Sequence, residues 1–315
     1  MSKKTLYLLG ILLTILIGTY FYWKLCCNDC CDGDALKAGD RTERTLSNEV
    51  DTNTKVATSN AFALNDANGD FSFNANENFN FNASAYDALT PINAQVDVGI
   101  GKLQAYLDTN KNKTVAITGH YTSGESNNSA YPNLGLARAN AVKNYFVSKG
   151  ISSGQMNTFG KLTESLVPDG TIYKGPITYS ISTSTDNTAK EEANNMKALR
   201  DNINANPLVL YFETAQASIN LSATQRQKIA DISKYLDKNP EGMISIVGHT
   251  DNTGSRTTNV RLGQERADFA KGYFVRNGIP EAKIITSSLG PDQPVATNAT
   301  EEGRTKNRRT EVTIK

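Results

Sequence analysis

The sequence predicts an α+β protein in which two domains of one β-α-β-α-β plan, each a mixed sheet with helices on one face, follow an N-terminal transmembrane helix. Three observations carry that expectation. Thr5 to Trp23 is an unbroken uncharged run. The segment NLGLARANAVKNYFVSKGI (Asn133 to Ile151) returns as VRLGQERADFAKGYFVRNGI (Val260 to Ile279), with the two copies offset by about 128 residues. Solenoid repeats recur every roughly 20 to 50 residues, so an offset this large means repeated domains. In the second copy, short apolar runs alternate with helical stripes, which places strands and helices in turn.

At 315 residues and 38% hydrophobic composition the chain has material for about two ordinary domains. Its 33 basic and 32 acidic residues nearly cancel and form no polybasic run, so nucleic acid is excluded as a partner class.

Residues 1–31 are assigned to a membrane anchor and a cysteine cluster. At 1.5 Å per helical residue, Thr5 to Trp23 matches the roughly 30 Å hydrocarbon layer. Lys3 and Lys4 precede it, Tyr20 to Trp23 form an aromatic belt, and Asp29, Asp32 and Asp34 follow. By the positive-inside rule the bulk of the chain is exported, which favours the inner membrane with both domains in the periplasm. A cleaved signal peptide and a lipid anchor on Cys26 compete with this reading. The aromatic cluster replaces the small-residue cleavage pattern, and Leu25 stands where a lipoprotein signal has a small residue. All four cysteines, Cys26, Cys27, Cys30 and Cys31, lie in CCNDCC. Four ligands this close can hardly wrap one tetrahedral ion, so disulfides linking two copies are expected before a metal.

Residues 32–58 are rich in Asp, Thr, Asn and Ser and read as a flexible linker. At its length the linker would span near 30 Å on average and roughly 90 Å when pulled straight. The first domain, 59–185, opens with Phe71, Phe73, Phe79 and Phe81 at alternating positions beside a turn at Asn68-Gly69. A second polar bridge, 186–205, precedes the second domain; its Lys190 to Arg200 part reads as a short helix.

In the second domain, 206–315, Leu208 to Phe212 is a buried strand. Ser222 and Gln225 make a capping box, and Ile229, Ile232 and Leu236 form one stripe that ends before Pro240. Ile244 to Val247 is the next strand. A helix from about Thr258 to Asn277 follows, with Leu262, Phe269 and Tyr273 inward and Gly278 at C′. Lys283 to Ser287 and the final RTEVTIK complete the sheet.

Asp251 lies just past the carboxyl end of the Ile244 strand, where α/β sheets present ligands. Arg266 falls on the apolar side of its helix with its side chain aimed back toward the loop of Asp251. A guanidinium there needs an anion. The two charges can pair with each other, or they can clamp a ligand that carries both an ammonium and a carboxylate. Thr250, Asn259 and Leu262 stand beside them. Arg308 and Arg309 either line the rim or cap the last strand. His249 and His120 have no acid, thiol or serine constellation repeated around them, so both read as loop-ordering residues, and no catalytic residue, metal site or cofactor is expected. In the first copy Arg138 takes the place of Arg266 while Thr122 replaces the aspartate, and Glu125 is read as an internal partner for Arg138.

The run GHTDNTG, then NVRLGQERAD, then GPDQPVATNATEEGRTKNRRTEVTI resembles the peptidoglycan-binding OmpA-like domain over essentially all of residues 206–315. The resemblance implies that Asp251 and Arg266 grip the amino and carboxylate groups of diaminopimelate in the cell-wall stem peptide, without catalysis, in a Gram-negative envelope. Gly263 departs from the family, which usually has serine there. The first domain shares only the core pattern, so it is expected as a spacer, a remnant or an envelope scaffold binding a protein partner. A motor stator also joins one membrane helix to this domain, but Thr5 to Trp23 lacks the acidic residue that would carry the ion. A wall hydrolase would need a nucleophile pair or metal cluster that the sequence does not supply.

Overall fold

The computed structural model describes residues 56–211 and 220–315, all within the compact unit Lys55–Lys315. The N-terminal helix, the CCNDCC cluster and nearly all of the 32–58 linker lie outside the described residues. Among the described residues no helix is long and apolar enough to cross a membrane.

The first lobe opens with an antiparallel hairpin of β1 (Phe62–Asn65) and β2 (Ser72–Ala75). Its turn falls at Asn68-Gly69, where Gly69 takes φ 81° and the Asp66 carboxylate accepts from the Asn68 N–H at 3.0 Å. After β3 (Asn80–Asn82) come α1 (Ala94–Thr109), β4 (Lys113–Tyr121), α2 (Leu134–Ser148), β5 (Met156–Leu162), β6 (Ile172–Lys174) and β7 (Ile177–Thr183). The central sheet has the order β5-β4-β7, with β4 parallel to β5 and antiparallel to β7. The alternating aromatics divide: Phe79 and Phe81 are fully buried with Phe62, while Phe71 and Phe73 pack at the edge of that core.

The second lobe contains β8 (Leu208–Tyr211), α4 (Ala223–Lys238), β9 (Ile244–His249), α5 (Arg256–Arg276), β10 (Ile284–Gly290), α6 (Glu301–Asn307) and β11 (Arg309–Ile314). Its sheet runs β10-β9-β11-β8; β9 and β10 are parallel, and β11 is antiparallel to both neighbours. This is a mixed sheet, as in the first lobe. The Ser222/Gln225 capping box is present, and Ile229, Ile232 and Leu236 are buried. Gly278 has φ 89°, and the N–H of Ile279 returns to Phe274 O at 3.1 Å.

Three features differ from the sequence-based reading. The bridge 186–205 is one helix, α3 (Asp186–Ala205), with a capping box of Thr185 and Thr188. It has few apolar residues, but Met196 and Ile203 are buried in the second lobe's core and hold it there. The short polar helix α6 interrupts the approach to the last strand, so the plan is β-α-β-α-β-α-β. Finally, α5 begins with Ser255 as N-cap and buries Asn259, Gly263, Ala267, Ala270 and Phe274. Leu262, Phe269 and Tyr273 are only half-buried on the flank of that stripe.

Small residues form the buried stripe because the helix crosses its strand at very short range. A Cβ on Gly248 would stand 1.8 Å from the carbonyl oxygen of Gly263; in the first lobe a Cβ on Gly119 would stand 2.0 Å from that of Gly135. Gly263 is therefore a close-approach residue that lets α5 lie against β9.

The lobes are also in direct contact. The Tyr131 hydroxyl donates to Asn277 O at 3.1 Å, and Asn277 Oδ1 accepts from the Ala130 N–H at 2.9 Å. Lys143, almost fully buried on α2, reaches Asp237 of α4 at 2.6 Å.

Candidate functional site

The candidate site lies at the carboxyl end of β9. His249 ends that strand, Thr250 is held by an N–H bond to Gly290 O at 2.9 Å, and Asp251 follows as the chain turns outward. Asp251 Oδ1 accepts from the Thr253 N–H at 2.8 Å, which fixes the carboxylate in an Asx-type turn. Asn259 lies in the first turns of α5, where its Nδ2 donates to Thr253 O at 3.1 Å and ties helix to loop.

Asp251 has an ion-pair partner, and it is Arg308. Arg308 Nη1 lies 2.9 Å from Asp251 Oδ2, while its Nη2 donates to Glu301 Oε1 and Thr305 Oγ1, each at 2.7 Å. Burial works to raise the Asp251 carboxyl; the bonds from Arg308 and Thr253 outweigh it and hold the group below the ordinary carboxylate range. The carboxylate is thus ionised at neutral pH and already carries one cation.

Arg266 reaches the same end of the sheet from α5. Its Nη1 donates to His249 O at 3.1 Å, and among the described residues it makes no ion pair. Burial lowers its pKa, the charge of Asp251 counteracts that, and Arg308 adds to the lowering. A half-buried cation near two other charges, with a single hydrogen bond to a carbonyl among the described residues, is positioned to take up an anion. Beside it, Thr250 Oγ1 is buried and without a hydrogen-bond partner. Leu262 is half-buried one turn before Arg266.

Arg309 is elsewhere. Its Nε donates to Glu311 at 2.7 Å and its Nη2 to Gln293 O at 3.2 Å, and these contacts secure the last strand and the loop before it. The sequence-based reading missed Glu301 and Thr253. Glu301 stands seven residues before Arg308, a spacing that only the turn of α6 converts into contact. Among the described residues no cluster of three or more His, Cys, Asp or Glu is placed to hold a metal ion.

The first lobe contains the same construction in a closed form. Arg138 Nη1 donates to His120 O at 2.9 Å, the counterpart of the Arg266 bond to His249 O. Its other donors reach Ala85 O, Asn82 O and both oxygens of Glu125, with Nη2 to Oε1 at 2.5 Å. The guanidinium is fully buried between the rings of Phe81 and Tyr173, each centroid 5.3 Å away. His120 holds Thr163 and Thr178 through its ring, each at 2.9 Å, whereas neither ring nitrogen of buried His249 has a partner. Both histidines contribute to the sites through the main-chain carbonyl.

Parts of this chain are similar to known proteins. The probable lipoprotein YiaD of Escherichia coli is 33% identical over 115 residues, covering 36% of this chain and 52% of that protein. The peptidoglycan-binding protein ArfA of Mycobacterium tuberculosis is 44% identical over 75 residues, 24% of this chain and 23% of its own. The chain thus spans about half or less of these relatives. A crystal structure of the peptidoglycan-associated lipoprotein from Burkholderia pseudomallei matches at 29% identity, covering 34% of this chain and 89% of that one, with a TM-score of 0.29. The family model described as the OmpA family matches residues 79–172 and 211–308, one segment in each lobe. The chain belongs to the OmpA family.

Proposed function

We propose that this protein binds cell-wall peptidoglycan without catalysis, through the second lobe, while its N-terminal segment tethers it to a membrane and leaves both lobes in the periplasm. The ligand group is the free end of diaminopimelate in the stem peptide: Asp251 takes the ammonium and Arg266 the carboxylate. The observation that carries this reading is that Arg266 is half-buried and anchored on His249 O without an acid of its own, beside an Asp251 already fixed by Thr253 and Arg308. A ligand ammonium then shares Asp251 with Arg308, and Glu301 is in place to keep Arg308 neutralised. Membership of the family and the name of the mycobacterial relative support the wall as partner.

The test is co-sedimentation of the exported part with purified sacculi. Asp251→Ala and Arg266→Ala each reduce binding by about tenfold or more, the worth of one charge-assisted contact of 1.5–3 kcal/mol. Arg266→Lys recovers little, because a point charge cannot engage a carboxylate through two parallel bonds. Equal binding by parent and both alanine variants overturns the proposal.

A second reading gives the first lobe a separate role as an envelope scaffold for a protein partner. The closed pocket around Arg138 favours it, since that lobe has no open clamp to offer the wall. Crosslinking in whole cells with the first lobe present or deleted distinguishes the two: partner bands that persist without it refute the scaffold role.

A further inference from the structure

We propose that the first lobe holds a carboxylate-binding site of the same construction as the second lobe's, and that the chain's own Glu125 occupies it as an internal ligand. The match begins with the anchor. Arg138 and Arg266 each commit Nη1 to the carbonyl of the histidine that follows a strand glycine, at 2.9 and 3.1 Å. In the first lobe the remaining edge of the guanidinium is met by a carboxylate in fork geometry, Nη2 to Oε1 at 2.5 Å and Nη1 to Oε2 at 3.3 Å. The same carboxylate accepts main-chain N–H groups from Thr122 at 3.0 Å and Ser84 at 3.1 Å.

Thr122 stands two residues after the histidine, where the second lobe has Asp251. Its N–H therefore belongs to the receptor, and its side chain shows what the site has lost. The Thr122 hydroxyl is neutral and lies 3.3 Å from the Tyr173 hydroxyl, so the position equivalent to Asp251 offers an ammonium no carboxylate; the nearby Glu164 carboxylate is bound by the Ser123 N–H at 3.2 Å. The first-lobe site accepts a carboxylate and discriminates against a zwitterion. Arg138 and Glu125 are 0% and 3% exposed in their side chains, so Glu125 seals a receptor and does not merely decorate a surface. The parallel with Arg266 rests on the clamp proposed above, whereas the occupancy of the first-lobe site by Glu125 does not.

Replacing Glu125 by Ala removes CH2–COO⁻ beyond Cβ, the size and charge of acetate. The experiment measures hydrogen exchange by mass spectrometry on the full chain in detergent, in matched concentrations of sodium acetate, sodium chloride and glycine. Glu125→Ala accelerates exchange in peptides from His120 to Arg138 by about tenfold or more, because one partner of a buried pair is gone. Acetate restores protection in a saturable manner, glycine does so more weakly, and chloride does not.

Two controls keep the outcome decisive. Glu125→Gln, which keeps the pocket filled, gains nothing from acetate, and Arg138→Met combined with Glu125→Ala loses the acetate response. Peptides of the second lobe report independently, so failure of the wall-binding clamp and failure of this site are separate results. Rescue equal in acetate and chloride, no rescue, or a Glu125→Ala chain that stays unfolded in acetate overturns the proposal.

Discussion

Replacing Gly248 with Ala tests whether the close crossing of helix and strand positions the site. The new Cβ would stand 1.8 Å from Gly263 O and 2.6 Å from its carbonyl carbon, so α5 must withdraw by about 1.2 Å to reach even 3.0 Å. Both neighbours are main chain in regular elements and neither can rotate away, which places the cost at the upper end of overpacking, about 3 kcal/mol. Arg266 moves with its helix, and a constellation loosened by about 1 Å no longer grips both ends of one ligand. Gly263→Ala is the milder partner. Its Cβ would meet Ser288 Oγ at 2.2 Å and Gly248 O at 2.9 Å, and the hydroxyl can turn aside at the loss of its 3.1 Å bond from the Gly290 N–H, about 1 kcal/mol. Chemical denaturation followed by sacculus co-sedimentation should rank the variants Gly248→Ala far below Gly263→Ala, with Ser288→Ala relieving part of the second. A Gly248→Ala protein with parental stability and parental wall binding refutes the reasoning.

Asp66 sits buried against Lys113 at 2.6 Å and also accepts from the Tyr106 hydroxyl; burial opposes its charge, but those bonds bring its pKa from 3.8 down to about 2. A depressed folded pKa contributes stability above the unfolded value and loses it as pH falls, so the first lobe should weaken between about pH 4 and pH 2. Asp66→Asn should flatten that limb in an acid titration followed by circular dichroism. Tyr131→Phe removes the hydroxyl between the lobes, leaving Asn277 O and Ser233 Oγ without it, and should cost about 1–2 kcal/mol in denaturant unfolding. Arg308→Ala removes the largest influence that holds the Asp251 carboxyl down against burial, so the acid limb of wall binding should move to higher pH; an unchanged profile excludes Arg308 as its support.

Much of this fold is readable in the sequence because apolar runs and stripes report burial directly. Leu208, Leu210, Ile229, Ile232, Ile244 and Ile246 are all buried, and each belongs to a run or period that a single-sequence reading detects. The losses occur where burial is achieved by small or polar residues. In α5 the core face before Phe274 is Gly263, Ala267 and Ala270, because at the Gly248–Gly263 crossing the helix lies too near β9 for large side chains. Hydrophobic weight therefore pointed one position away, to Leu262, Phe269 and Tyr273. Helices α3 and α6 are polar and are held by tertiary contacts, which local periodicity does not record.

The site divides in the same way. Arg266 could be selected because a charge is unusual on the apolar side of a helix, and Asp251 because it follows the carboxyl end of a strand. Their relationship could not be read: the acid's actual partner, Arg308, is 57 residues away, and the base is anchored on a main-chain carbonyl. A carbonyl has no sequence signature. Glu125 was legible as a partner of Arg138 because it lies 13 residues off in the adjoining loop, but the two N–H donors that complete its receptor came only with the fold.

The contrast between the lobes follows from the cost of an arginine out of water. Each helix delivers a guanidinium to the end of its strand, and each strand offers one carbonyl, which cannot balance a full charge. The first lobe resolves this within the chain: Glu125 supplies the anion, Phe81 and Tyr173 cover the planar cation, and every N–H is bonded. A lobe so completed gains rigidity and has no unpaired charge left to attract a ligand. The second lobe leaves Arg266 half-exposed to water and gives Asp251 to Arg308, which is itself tied to Glu301. The exposure keeps Arg266 affordable without a partner, and the Arg308 bridge keeps Asp251 ionised and in place. Two corresponding helices thus serve opposite ends, and the difference is set by whether an acid stands three residues beyond the position of Thr122 or Asp251.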